Sequence, residues 1–409
     1  MNILFLTTGR MDSFKTHSIY PDLLREFMRN GHTVYAVSTL ERRFGLPTCC
    51  DTENGSFILR VRIGNLTKCG LAEKGISTLR IKSQFKKAID RYFPDVRFDL
   101  IVYSTPPITL SDVIQYYKKR DNARTYLMLK DIFPQNAVDI GILSKTGAKA
   151  PLYRYFRRQE KKMYAISDTI GCMSPANAEY VKRHDPEIPP ERISLCPNCI
   201  DLEDVSLSEE EKRSIRGKYG LPEDKTVFLY GGNLGKPQGI PFMLECFSRC
   251  ENSDAFFFVV GDGTEFELIK AYIDENKPKN LRLERRLPKE DFDRMTSACD
   301  VGMIFLDHRF TIPNFPSRLL TYLQASVPVI AFTDPNTDIG KVILEGDFGW
   351  WGTSDDADSA ARLIERVCKD PELLSLGENG YRYLCKNYTV SAAYDAIMSR
   401  CLPAQAERK

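Results

Sequence analysis

The sequence predicts an α/β protein built as two doubly wound domains with parallel sheets. Two observations carry this expectation. Short apolar runs alternate with longer periodic segments from end to end, the pattern of strands buried on both faces beneath covering helices. The alternation comes as two series, and 409 residues are enough for two cores of ordinary size.

In the first series the expected strands are Ile3–Thr7, Thr33–Ser38, Phe57–Val61, Leu100–Tyr103, Arg124–Leu129, Thr169–Met173 and Ile193–Leu195. A helix after Ser18 places Ile19, Leu23, Leu24, Phe27 and Met28 at helical spacing and stops at Asn30-Gly31, a favourable C-terminal signal. His32 then belongs to the turn. The second series has strands at Thr226–Tyr230, Ala255–Val260, Leu281–Leu283, Val301–Leu306 and Val327–Phe332. Ser391–Cys401 reads as a closing helix. These limits divide the chain into residues 1–197, residues 198–385 and a C-terminal helical segment, 386–409, that can pack back on the first domain. Such folds bind ligands at the C-terminal ends of their strands, so two of them facing each other would form a cleft there.

Composition narrows the class. Hydrophobic residues make up 43% and charged residues 27%, as in globular proteins, and no apolar run reaches the 18 residues of a membrane span. The apolar N-terminus lacks a basic leader and a cleavage site, and reads as a first strand. Residues 1–197 hold 31 Lys and Arg against 20 Asp and Glu, a net +11, while the remaining 26 against 35 give −9. A basic front half meets something anionic. Twelve cysteines are scattered, and reduced thiols are the default. Cys196-Pro197-Asn198-Cys199 has metal-ligand spacing, but no second pair stands at the distance a zinc site needs.

Four segments can carry chemistry. Gly231-Gly232-Asn233-Leu234-Gly235-Lys236 follows a strand and would let a diphosphate approach the backbone, with Lys236 as counter-charge; a plain glycine turn explains it equally. It is neither a Walker loop nor a dinucleotide fingerprint. Gly261-Asp262-Gly263-Thr264 follows the next strand, as a cleft-edge loop or a helix-capping turn. Arg285-Arg286-Leu287-Pro288 can offer a loop to a base or lie solvated. Asn314-Phe315-Pro316-Ser317-Arg318 leads into a helix whose first N–H groups, together with the Arg318 guanidinium, would favour an anion.

The order of these segments resembles that of the GT4 family of retaining glycosyltransferases, which have the GT-B fold of two facing Rossmann-like domains. Pro197-Asn198-Cys199-Ile200-Asp201 is similar to that family's interdomain Pro-Asn-Gly-Val-Asp. Asp131-Ile132-Phe133-Pro134 stands where enzymes of capsule, exopolysaccharide and O-antigen assembly carry an Asp-Leu-Trp-Pro-like segment, and Ser174-Pro175 matches a structural Ser-Pro step. The resemblance spans essentially the whole chain. It implies a donor site of Gly232, Asn233, Lys236, Gly261, Arg286, Leu287, Phe315, Ser317, Arg318 and Thr321. Lys236 and Arg318 would neutralise the diphosphate and stabilise the leaving group, and Asp131 would orient or deprotonate the acceptor, unless it only caps its own turn. The family's Glu-x7-Glu falls on Pro313 and Thr321, neither of them acidic; Asn314 and Thr321 are the polar groups left to replace it.

The implied partners are a nucleotide-sugar donor, UDP-linked in the first instance, and a lipid-linked saccharide acceptor. No cofactor, catalytic metal or nucleic acid is expected. The Lys145–Lys162 region would contact an anionic membrane surface: Leu152, Tyr155, Phe156 and Met163 share one helical face, and Arg154, Arg157, Arg158 and Lys161 largely another. An ordinary core-facing helix explains the same pattern. The expected location is cytoplasmic, peripheral at the inner face of the plasma membrane. Two rivals remain, a non-hydrolysing sugar-nucleotide epimerase and an inactive relative serving as a binding subunit.

Overall fold

A computed structural model describes residues 1–250 and 253–401. The chain divides into two compact units, one formed by Met1–Asp201 with the C-terminal segment from Val390, the other by Leu202–Thr389.

The first unit holds an eight-stranded sheet. Its strands are β1 (Asn2–Leu6), β2 (Thr33–Glu41), β3 (Cys49–Glu53), β4 (Ser56–Ile63), β5 (Leu100–Ser104), β6 (Arg124–Leu129), β7 (Thr169–Cys172) and β8 (Ile193–Leu195). Their order is β3-β4-β2-β1-β5-β6-β7-β8, parallel except for β3 against β4. The second unit holds β9 (Thr226–Asn233), β10 (Ala255–Asp262), β11 (Leu281–Glu284), β12 (Val301–Phe305), β13 (Val329–Thr333) and β14 (Gly349–Thr353) in the order β11-β10-β9-β12-β13-β14. In both sheets the first strand lies inside, and the chain reverses its direction of growth beside it. The crevices at the exits of β1 and β9 are therefore the topological switch points, where such sheets bind ligands.

Burial on both faces explains the strand sequences. Ile3 and Phe5 pack with Leu23, Leu24 and Phe27 of the helix Ile19–Arg29. In the second unit Phe247 stacks on Phe257 with ring centroids 3.9 Å apart, in a core shared with Phe228, Phe305 and Phe332.

The structure departs from the sequence reading in four places. The polar β3 was not expected; it forms because Asn54 and Gly55, both at positive φ, close a hairpin onto β4. The short β14 was not expected either. β13 begins at Val329, because Val327 N–H still bonds the Tyr322 carbonyl of the preceding helix. The units part after Asp201 and Thr389, each four residues beyond the limits drawn at 197 and 385. Asp201 is held into the first unit by Arg29 (2.6 Å) and Arg25 (3.3 Å). Residues 386 and 387 still belong to the helix Leu373–Asn387, and the closing helix, Val390–Cys401, puts Ala393 and Ile397 into the first core. His32 packs there too, its ring bonded to the Tyr394 hydroxyl at 2.9 Å. Residues 402–409 lie outside the described residues. Among the described residues no helix is long and apolar enough to cross a membrane.

Candidate active site

In the second unit the site grows from the end of β9. Gly232 is exposed and sits at φ +121°, where an L side chain is strained. A Cβ there would lie 3.5 Å from Nη2 of Arg318. Gly261 pairs with Gly232 across the two strands, and a Cβ on Gly261 would fall 2.1 Å from the Gly232 carbonyl oxygen. The two glycine loops therefore support one another. Asn233 donates from Nδ2 to Gln238 (3.0 Å), and its carbonyl accepts from the buried Tyr230 hydroxyl (2.8 Å). Lys236 is exposed at the start of a one-turn helix.

Arg318 opens the helix Arg318–Gln324, and its guanidinium lies 4.3 Å from the centroid of the Tyr230 ring. One turn on, the single proton of the Tyr322 hydroxyl is shared between the Leu229 and Met303 carbonyls, and its oxygen accepts from Gly231 N–H, each at 3.1 Å. This places the helix across the β9/β12 switch point. Nη1 of Arg318 is buried without a hydrogen-bond acceptor among the described residues. Such a group costs roughly 1–3 kcal/mol unless an acceptor meets it.

The helix differs from its expected form. It has only seven residues, and Ser317 caps it in αR geometry without a side-chain hydrogen bond. The Phe315 side chain is buried, its ring 5.9 Å from that of Tyr388, so it serves packing. The cationic character of this site therefore rests on Arg318 more than on the helix end. Thr321 is half-buried on the same helix. Asn314 is tied through its backbone to the Thr337 hydroxyl (2.7 and 2.9 Å), and its Nδ2 is buried without an acceptor among the described residues. After β13, Asp334 is buried and its carboxyl pushed up to about 6 by that burial. Neither Tyr322 nor Asp334 was singled out from sequence.

The other residues expected at a donor site lie further along the sheet. Arg286 is exposed and Leu287 half-buried after β11, with β10 between that strand and β9. Its neighbour Arg285 is the anchored one, 4.2 Å from the Phe266 ring and ion-paired to Asp262 (3.6 Å) and Glu267 (3.5 Å).

In the first unit Asp131 follows β6. Asn136 Nδ2 bonds both of its carboxylate oxygens at 2.7 Å, and its backbone oxygen accepts from the Thr105 hydroxyl at 3.0 Å. Burial pushes the carboxyl up to about 6, against the pull of Asn136. Asp131 is thus bound into its own loop, at the strand edge expected of an acceptor-side group. Cys196 and Cys199 are buried in the core beside Tyr126, with thiols raised by burial. Ser174 caps its helix, accepting from Asn177 N–H.

The basic helix, Ala150–Ile166, departs from expectation. Arg157 is paired with Glu160 and Asp185, each at 2.6 Å, Lys161 with Glu187 at 2.8 Å, and Lys162 with Asp112. Met163 is buried and Phe156 packs on Phe133. What faces outward is Leu152 (49% exposed) and Tyr155 (37%), beside the exposed Arg154 and Arg158.

Two doubly wound units with parallel sheets have the architecture of the GT-B fold of glycosyltransferases. Family models agree: "Glycosyltransferase Family 4" matches residues 21–204 and "Glycosyl transferases group 1" matches residues 211–383. The chain belongs to these GT4-type glycosyltransferases. It is 26% identical over 315 residues to the probable glycosyltransferase WbjE of Pseudomonas aeruginosa, covering 76% of each chain. The Anabaena protein HepE, solved in complex with UDP and glucose, superposes with a TM-score of 0.69 at 12% identity over 98% of both chains. WaaG, a glycosyltransferase involved in lipopolysaccharide biosynthesis, does so with a TM-score of 0.66 at 13% identity, over 96% of this chain and 98% of its own.

Proposed function

We propose that the chain is a retaining glycosyltransferase of cell-surface polysaccharide assembly. It moves a hexose or acetamido-hexose from a nucleotide diphosphate donor, a UDP-sugar in the first instance, to a lipid-linked saccharide. The observation that carries the donor reading is the buried Arg318 Nη1, without an acceptor, at the β9/β12 switch point beside Gly232. A diphosphate oxygen supplies the missing acceptor. The complex of HepE with UDP and glucose supports a nucleotide-sugar donor, and the role in the name of WaaG supports polysaccharide assembly.

The protein's contribution is electrostatic. As the bond from the anomeric carbon to the diphosphate breaks, Arg318 and Lys236 offset the charge that develops on the leaving oxygen. That oxygen takes the acceptor proton on the same sugar face, and Asp131 orients the acceptor hydroxyl. Asn314 and Thr321 replace the missing carboxylates toward the sugar and the ribose. No metal or resident cofactor has a part in this scheme.

The exposed Leu152 and Tyr155, flanked by Arg154 and Arg158, support contact with an anionic membrane surface at the inner face of the plasma membrane. Calorimetric titration of the purified chain with UDP-, GDP- and CDP-sugars, followed by transfer assays on lipid-linked acceptors, tests the proposal. Failure of every nucleotide and nucleotide sugar to bind would refute the donor site. Unchanged sedimentation with anionic vesicles would refute the membrane contact.

A further inference from the structure

The exit of β13 holds a feature that the clamp at Arg318 does not use. The strand runs into the turn Asp334-Pro335-Asn336-Thr337, closed by Asp334, whose Oδ1 accepts from the N–H groups of Asn336 (2.8 Å) and Thr337 (3.0 Å). The turn grips the segment that leads to Arg318. Asn336 Nδ2 donates to the Phe310 carbonyl (2.7 Å). The Thr337 hydroxyl accepts from Asn314 N–H (2.7 Å) and donates to the Asn314 carbonyl (2.9 Å). Thr337 is therefore bonded to Asp334 on one side and to Asn314 on the other, and Asn314 stands four residues before Arg318.

Three buried polar atoms around this exit have no hydrogen-bond partner among the described residues. They are Oδ2 of Asp334, Nδ2 of Asn314 and Oγ of Ser354, whose N–H bonds the Thr333 carbonyl at 3.0 Å. Asp334 is fully buried and Ser354 is 2% exposed. Packed interiors leave few such atoms, and each is costly until a partner meets it. The unmet pair on either side of Thr337 is of opposite kind, an acceptor on Asp334 and a donor on Asn314. A phosphate oxygen suits Asn314 but not the carboxylate, because it brings no proton. A hydroxyl suits both, since it has one proton to give and lone pairs to receive.

We propose that Asp334 reads a hydroxyl of the transferred sugar and, with Asn314, determines donor specificity. The sugar hydroxyl gives its proton to Asp334 Oδ2, and its oxygen accepts from Asn314 Nδ2. Thr337 is a positioning residue that keeps the two groups in register. The carboxylate toward the sugar thus comes from the exit of β13 and not from position 313, where proline stands. This role for Asp334 rests on the donor reading above, in which Arg318 holds the diphosphate.

The test is calorimetric titration of the full chain with UDP, GDP, UDP-glucose, UDP-galactose, UDP-N-acetylglucosamine and GDP-mannose. Asp334→Asn keeps an oxygen for the two turn N–H groups but puts a donor where the carboxylate accepted. It should weaken the nucleotide sugar that the wild-type chain binds best by about tenfold or more, while the parent nucleotide stays within about twofold. Asn314→Ala leaves the backbone bonds to Thr337 in place and should weaken the same nucleotide sugar by about fivefold. Thr337→Val should reduce sugar affinity selectively, and Thr337→Ser, which keeps the hydroxyl, should restore it. Unchanged sugar affinity in the Asp334 and Asn314 variants means that water meets these atoms, and it overturns the proposal. An equal loss for nucleotide and nucleotide sugar marks a structural role and overturns it too. A wild-type chain that binds UDP or GDP but none of the four nucleotide sugars overturns this sugar site alone. Failure of every nucleotide and nucleotide sugar to bind overturns the donor reading as well.

Discussion

The guanidinium of Arg318 rests 4.3 Å from the ring centroid of Tyr230, the residue before the two glycines just short of the end of β9. The contact fixes a long, flexible side chain at the one edge of the second sheet where the chain reverses its direction of growth. Tyr322 braces it from the next helical turn, its hydroxyl bonded to backbone groups of Leu229, Gly231 and Met303. A cation held this way is oriented before any ligand arrives, and that preorganisation is what makes a charge effective toward a phosphate.

Arg318→Ala should weaken UDP binding by about 10- to 100-fold, the worth of one or two charge-assisted hydrogen bonds. Arg318→Lys should recover only part of the loss, because an ammonium lacks the planar fork. Lys236→Ala should also weaken UDP, with an unchanged melting temperature, since Lys236 is exposed. Calorimetry with UDP separates the outcomes, and wild-type affinity in either alanine variant removes that residue from the site.

Gly261→Ala should destabilise the second unit by about 1–3 kcal/mol. The new Cβ would meet the Gly232 carbonyl at 2.1 Å, and backbone cannot yield as a side-chain tip can. Because that movement displaces the β9 loop, UDP affinity should fall together with stability. Denaturant unfolding and UDP titration read the two effects, and a variant with normal values of both would show that the loops are not mutually braced.

Asp131 should impose an acid limb on turnover. Its carboxyl is pushed up to about 6 by burial, so it carries its charge only above that pH. The pH profile of kcat should fall below about pH 6, and Asp131→Asn should remove the limb and lower kcat by up to about 100-fold, as the acceptor hydroxyl loses the carboxylate that orients it. A variant with wild-type kcat would leave Asp131 as the cap of its own turn.

Glu160 should make the first unit less stable as pH rises. It is 3% exposed, and burial pushes its carboxyl up to about 7 against the pull of Arg157. Between its ordinary value and that raised one, the unfolded chain ionises while the folded one keeps its proton. Stability is therefore lost from about pH 4.5 to 7, by about 3 kcal/mol in all. Glu160→Gln should flatten this part of the curve. Melting temperatures from pH 4.5 to 8 check it, and an identical slope in the variant would refute the assignment.

Much of the site was legible because its parts are local. Gly232 and Gly261 follow unmistakable apolar runs, one residue before their strands end, and Arg318 follows a Pro-Ser step into a helix. Other parts were hidden for physical reasons. The polar β3 owes its existence to a partner strand rather than to its own pattern. The role of Tyr322 depends on where β12 lies beside β9, which no spacing in the chain reports. The basic face of Ala150–Ile166 read as free charge, yet Asp112, Asp185 and Glu187, supplied by other elements, neutralise much of it.

Periodicity and glycine placement by themselves determined that this chain makes two doubly wound sheets, because burial on both faces demands apolar strands and tight exits demand glycine. Only the tertiary structure decided which charges remain unpaired. Whether an arginine offers its donors to a ligand or spends them on a neighbouring carboxylate depends on distances of a few ångströms between segments far apart in sequence. Those distances leave Arg318 with a buried donor in need of an acceptor, and bind Arg157 to Glu160 and Asp185.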